Sequence, residues 1–180
     1  MQNSNKEIWI KTGYEIFALS GKTELKIEPI AKLVGKSKSS FYHLFADLDL
    51  FIEYLLNYHI EQSLIIAKKE KNVSSIEPDL INILVEHRLD LLFNRQLRIN
   101  QHISGFNDTL KESNRIIGDV FKMAWVKEIN LQLSPKQIES IFSLAIENFY
   151  LQINADNLNY KWLSEYFNNL KSISNNFIVR

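Results

Sequence analysis

The sequence predicts an all-α protein. Helical spacing of apolar residues recurs along nearly the whole chain, and period-two runs bounded by turn residues are hard to find. The periodic stretches also begin or end on residues that start or stop helices. A chain of 180 residues can bury a real core without staples. With no cysteine, disulfides, zinc-thiolate sites and cysteine nucleophiles are excluded, and an intracellular setting is favoured.

Taken in order, Ile8, Ile10, Tyr14, Phe17 and Ala18 form the first stripe, which ends at Ser20-Gly21, where glycine is a natural stop. A short second helix is expected from Ile27 to Val34. Pro29 falls in its opening turn, where backbone amides lack helical partners. Gly35 breaks it. Ser37 can cap a third helix running to about Leu44, and Asp47 a fourth that carries Leu48, Phe51, Ile52, Leu55, Leu56 and His59.

Beyond these four, the helices lengthen. Glu77-Pro78 opens one, and Thr109 with Glu112 and Ser134-Pro135 with Gln137 have capping-box spacing. The penultimate helix repeats Ile138, Ile141, Phe142, Ala145 and Phe149, and the last repeats Leu163, Tyr166, Phe167, Leu170, Ile173 and Phe177. There is no internal repeat or low-complexity segment. No Gly- or Ser-rich linker intervenes, so the Asp47 helix is expected to run from a front domain, residues 1–50, into a rear domain, residues 51–180.

The 21 basic and 21 acidic residues cancel, so net charge does not announce a polyanion binder. The distribution is less even: between Lys22 and Tyr42, five lysines face Glu24 and Glu28, a local excess of three positive charges. No apolar run reaches the length of a membrane span, and the start MQNSNKEIW carries no signal-type segment, so the expectation is a soluble, cytoplasmic protein with no membrane partner.

The stretch VGKSKSSFYHLF, Val34 to Phe45, places lysines and small hydroxyl residues directly ahead of an aromatic cluster. Two short helices joined at Val34-Gly35-Lys36-Ser37 have the form of a helix-turn-helix, with a polar amino-terminal end on the second helix. Short side chains there permit close approach to a groove, helix-start amides favour anions, and lysines reach phosphates.

These residues resemble a known family. From IWIKTGYEIFALSG through IEPIAKLVGKSKSSFYHLFADLDLFIEYL, Phe17 with Gly21, Ile30-Ala31, Gly35 with Ser37, Ser39-Ser40, Phe41-Tyr42 and Phe45 follow the pattern of the DNA-binding domain of TetR-type transcriptional regulators. The resemblance covers roughly the first third of the chain. It implies an N-terminal helix-turn-helix DNA-binding domain followed by a larger helical ligand-binding and dimerisation domain. It also maps Lys36, Lys38, Ser39, Ser40, Tyr42 and His43 at or beside the DNA groove. The other readings are a core tyrosine for Tyr42 and a plain surface position for His43. Phe41, Phe45, Ile30, Ala31 and Leu44 are assigned to packing. The sequence departs from the family at Lys36, where Val is usual, at Leu48, where Lys is common, and at Lys26, where Ser or Thr is usual.

For the rear domain the expectation is a largely apolar pocket with a few polar groups, and His59, His87, Phe106 and Trp125 are the candidates to line it. His59 continues the stripe Ile52, Leu55, Leu56, and His87 continues Leu80, Leu84, Leu91, so both are expected to face inward. Ordinary core packing is the competing reading for all four. There is no His-x-x-x-His, no phosphate loop, no Gly-x-Ser-x-Gly and no carboxylate pair in an apolar setting; no metal, cofactor or catalytic residue is expected. The leading functional expectation is a homodimeric repressor that pairs through its last two helices, reads a palindromic double-stranded operator and is released by a small-molecule effector. The alternative is a helical ligand-binding or interaction protein of the same fold with weak or lost DNA binding, in keeping with the zero net charge and Leu48.

Overall fold

The computed structural model describes residues 2–129 and 134–176. Among them the regular structure is entirely helical, in nine α-helices: α1 Gln2–Ser20, α2 Ile27–Val34, α3 Lys38–Leu44, α4 Leu48–Glu70, α5 Ile81–Glu86, α6 Arg88–Ile99, α7 Phe106–Ile129, α8 Pro135–Gln152 and α9 Tyr160–Asn176. The described residues form two compact units. Met1–Ser63 with Leu89–Ser113 make the first, and Leu64–Arg88 with Asn114–Arg180 the second. The continuous helices α4 and α7 each contribute to both.

In the first unit α1 packs on α2, and α2 on α3. Its core is aromatic: Trp9, Phe17, Phe41, Phe45, Phe51, Phe93 and Phe106 are all fully buried. Phe41 meets Trp9 edge-on at 5.4 Å, Phe45 at 5.0 Å and Phe51 at 5.2 Å. Each such ring contributes roughly 1.5–3 kcal/mol by leaving water. The expected first stripe needs one correction: Ile8 is half-exposed and Trp9 fully buried. The helix begins at Gln2, and its bulkiest ring takes the inward position. Gly13 has a packing reason. A Cβ built there would lie 2.6 Å from Phe51 Cε1 and closer still to Cζ, so this glycine is what lets α1 approach α4.

The second unit packs α5 against α9. Ile66, Leu80, Ile81, Leu84, Phe142, Phe149, Ile153, Leu158, Leu163 and Phe167 are buried in it. Tyr166 Oη donates to the Ala145 carbonyl at 2.9 Å, tying α9 to α8. Ser134 and Gln137 form the expected capping box at the start of α8. Thr109 does not start a helix, because α7 already begins at Phe106. At Glu77-Pro78, a cis peptide, Glu77 is extended and the helical turns follow it. The Glu77 carboxylate accepts from Tyr160 Oη at 3.2 Å and Ser164 Oγ at 2.9 Å, which fastens this opening to α9. The stripe Leu80, Leu84, His87, Leu91 spans two helices, with the break at His87. Phe177 lies outside the described residues.

Candidate functional site

The α2–α3 corner is built from local rules. Gly35 ends α2 in the left-handed region, φ 69° and ψ 33°. Its N–H reaches the Lys32 carbonyl at 3.2 Å, and the Lys36 N–H reaches Ala31 O at 3.0 Å, a Schellman closure. Ser37 caps α3: its hydroxyl accepts from Ser40 N at 3.2 Å. Below the corner, Ile30, Ala31, Phe41 and Phe45 are buried as packing residues, whereas Leu44 is half-buried. Outward face Lys36, Lys38, Ser39, Tyr42 and His43, with Ser40 half-buried. Tyr42 is 55% exposed, so it is not a core tyrosine. These six residues share one short segment of the first unit.

One partner of this surface is internal. Lys38 Nζ donates to Glu28 Oε2 on α2 at 2.8 Å, and this bond holds the Glu28 carboxyl below its ordinary range. Both side chains are well exposed, so the pair is worth little to stability. It does occupy the Lys38 ammonium within the protein.

The four pocket candidates are dispersed. His59 is fully buried in the first unit. Its Nδ1 lies 2.7 Å from Tyr14 Oη, and its Nε2 lies 3.1 Å from Asn94 Oδ1. Tyr14 also donates to Asp90 Oδ1 at 2.6 Å, Asn94 Nδ2 donates to Ser113 Oγ at 3.2 Å, and Ser63 donates to the His59 carbonyl at 2.8 Å while meeting Ser113 at 2.9 Å. The Phe93 ring stacks on both Tyr14 and His59, at 4.2 and 4.6 Å. Burial pushes the His59 pKa down to about 4, against the opposing pulls of the Asn94 hydrogen bond and the Asp90 charge. Both nitrogens of this ring are taken up by the protein itself. Phe106 is also buried in the first unit, edge-on to Phe17 at 5.5 Å. His87, in the second unit, is buried and receives a hydrogen bond from Lys69 Nζ at 2.9 Å; Lys69 also pairs with Glu86 at 2.7 Å. The side chain of Trp125 lies outside the described residues.

Sequence reasoning missed two features. The first is the polar network, whose signal was present as i, i+4 pairs on apolar faces: His59 with Ser63, and Asp90 with Asn94. The second is Glu70, which continues the inward line His59, Ser63, Ile66 by one more turn. It is 1% exposed and neither carboxyl oxygen has a hydrogen-bond partner. Arg95 Nε is buried without a partner too, but on a guanidinium that has two further nitrogens. No group of three or more metal-ligating side chains occurs among the described residues, and no described helix is long and apolar enough to cross a membrane.

Comparison with known proteins gives a likeness of fold. No family model matches the sequence, and no curated protein matches it significantly. Among solved structures, the chain is similar to a "putative TetR-family transcriptional regulator" from Rhodococcus sp., with TM-score 0.61 and 17% identity over 96% of this chain and 99% of that one. The likeness is one of architecture: this chain shares the all-helical fold of that protein over almost its entire length. At this identity the likeness speaks for the fold, and the function has to be argued from the site.

Proposed function

We propose that the chain is a DNA-binding transcriptional regulator, acting as a repressor that a small-molecule effector releases from a palindromic operator. The observation that carries the reading is the α3 face. A capped helix, anchored from below by buried Phe41, presents Lys38, Ser39, Tyr42 and His43 outward, with Lys36 at the preceding turn. The fold-level likeness to a protein described as a regulator supports it. In this reading residues 1–50 contact DNA, residues 51–180 bind the effector and dimerise, and the protein works in the cytoplasm without catalysing a reaction. His87 and Trp125 remain candidates to meet the effector. His59 and Phe106 would serve only through a rearrangement of the first unit's core. The continuous α4 is the element through which an effector biases the DNA reader, in proportion to its differential affinity for the two arrangements.

Dimerisation is assigned to α8 and α9, where Leu144, Leu151 and Ile173 are exposed at 71%, 80% and 54%. Phe167 is buried within its own unit, so Leu144→Glu and Leu151→Glu probe the contact without disturbing the core. Sedimentation should show a dimer that these variants split.

The decisive experiment is selection of genomic fragments by the purified protein, followed by affinity measurements at several salt concentrations. Recovery of one palindrome supports the reading. Lys38→Ala should then weaken binding to all sequences and lower the salt slope by roughly one unit for each phosphate it no longer neutralises, twice in a dimer. Changes at Ser39 and Ser40 should alter the preferred sequence, by about 1–3 kcal/mol per good base contact. A second reading, a regulator-like ligand-binding protein with weak or lost DNA binding, draws on the Lys38–Glu28 pair, Leu48 and the zero net charge. Salt-labile binding to all fragments, or to none, favours it.

A further inference from the structure

Glu70 stands at the carboxyl end of α4, in the second unit. Its side chain is almost fully inaccessible, and both oxygens lack a partner. A carboxyl removed from water without compensation is among the costlier things a fold can hold, and an unsatisfied buried polar group calls for a reason. The lysines around it supply none. Lys69, its chain neighbour, is committed to Glu86 and His87, and Lys68 and Lys71 point to solvent. The first unit serves as an internal control: wherever it buries a polar residue (His59, Ser63, Asp90, Asn94, Ser113), a hydrogen bond answers it. Among the described polar residues that are buried as whole side chains, Glu70 is the one that makes no hydrogen bond.

We infer that Glu70 is the anchor of a ligand site in the second unit that takes a small organic cation, an ammonium or amidinium group carried on an apolar body. The inference rests on the reading of this domain as effector-binding and names the chemistry of its effector. A carboxyl among buried aliphatic residues such as Ile66, one turn earlier on the same helix, offers a ligand two acceptor oxygens and a negative charge in a low-dielectric setting. A cation with N–H donors or a diffuse charge fits that offer. An anion is repelled by the ionised group, and a neutral ligand forgoes the charge interaction. A bare metal ion is disfavoured because no group of three or more ligating side chains occurs among the described residues.

The free protein's proton state adds a signature. Burial raises the Glu70 pKa to about 8, and no charged group contributes to that shift. At neutral pH the carboxyl of the free protein is therefore mostly protonated, while the cation binds the ionised form. Each binding event at pH 7 should expel close to one proton. Affinity should rise by up to about tenfold per pH unit as pH climbs toward 8 and level off above it.

The test uses the full-length protein and four probes of similar size: benzyltrimethylammonium and benzamidinium as cations, benzoate and benzyl alcohol as anionic and neutral controls. Calorimetric titration at pH 7 is run in phosphate and in Tris, whose different ionisation heats report the protons released. The expected result is binding of at least one cation, about tenfold or more tighter than either control, with proton release. Glu70→Gln, shown by circular dichroism to be folded, should abolish both the preference and the release. Equal binding of cations and controls, binding unchanged in Glu70→Gln, or no binding of either cation overturns the inference. Fragment selection separates this from the regulator reading. An operator recovered by a protein that ignores both cations leaves the regulator standing and removes the Glu70 site. Cation binding through Glu70 with no operator recovered does the reverse.

Discussion

The two compact units differ at one buried side chain: the polar residues buried in the first and His87 in the second all have hydrogen-bond partners, and Glu70 in the second has none. In the first, Tyr14, His59, Ser63, Asp90, Asn94 and Ser113 hydrogen-bond one another across α1, α4, α6 and α7, and Phe93 stacks on two of the rings. In the second, Glu70 is buried with nothing to receive it. A satisfied network fixes one arrangement of the helices that share it, because any slip leaves a donor or acceptor stranded. An unsatisfied carboxyl costs stability and leaves an interaction available to something from outside. The difference sets a closed network shared by four helices of the first unit against an unanswered carboxyl in the second.

The most severe way to break the comparison is to make the first unit resemble the second. Asn94→Ala strips a partner from both His59 and Ser113 and opens a small void, so a loss of about 2–4 kcal/mol is expected in urea unfolding. A loss under about 1 kcal/mol would show the network to be incidental.

The pH dependence of stability should carry opposite signs for the two units. Glu70 ionises near 4.5 when unfolded and near 8 when folded, so the folded state keeps a proton the unfolded chain has released. Its contribution is intact at acid pH and is lost as pH rises from about 4.5 to 8. Glu70→Gln should match the wild type near pH 5 and exceed it by about 2 kcal/mol near pH 7.5. For His59 the folded pKa lies below the unfolded value of 6.5, at about 4. Its contribution is intact above 6.5 and is lost as pH falls toward 4, again by about 2 kcal/mol. Stability profiles from pH 4 to 9 check both limbs, and a flat profile on either side rejects the corresponding assignment.

Smaller effects sharpen the picture at the α2–α3 corner. Nothing lies within 4 Å of a Cβ added to Gly35, so Gly35→Ala is penalised by backbone conformation alone, by roughly 1–2 kcal/mol. Thermal unfolding should register it as a drop of a few degrees. Glu28→Gln should shift stability by under about 0.5 kcal/mol, since the pair is exposed. It should nevertheless strengthen DNA binding by freeing Lys38; unchanged affinity would mean that Lys38 does not meet the DNA.

The fold was largely legible because its early helices are decided by nearby residues. Gly35 stops α2, Ser37 caps α3, and the Ser134–Gln137 box opens α8, each through bonds within five residues. Ile8 and Trp9 are not told apart by periodicity because both belong to plausible helical stripes, and ring volume decides only once the other helices are in place. Thr109 has capping spacing, but α7 starts a turn earlier. The outward placement of Tyr42 and His43 was expected from the family resemblance alone, whereas that of Lys38 and Ser39 followed from the same local logic. The pairing of Lys38 with Glu28, ten residues away, did not, and neither did the meeting of Tyr14 with Asp90, 76 residues apart. A helical stripe tells on which face a polar group lies, and tertiary packing decides whether another helix brings it a partner.

Gly13 carries a consequence for how this chain can drift. Glycine inside a helix sacrifices roughly 1 kcal/mol of helix propensity relative to alanine, so the position would ordinarily be expected to wander. Here the space a Cβ needs is filled by the ring of Phe51, itself wedged against Phe41 and Phe45 at 5.2 and 4.8 Å. Every missense change of one nucleotide in a glycine codon adds at least that carbon. No genetic neighbour of Gly13 is therefore sterically silent, and an escape route requires Phe51 to shrink first. Saturation mutagenesis should find residue 13 closed to all substitutions in the native background and partly reopened when Phe51 is replaced by leucine, a historical contingency written into one helix crossing.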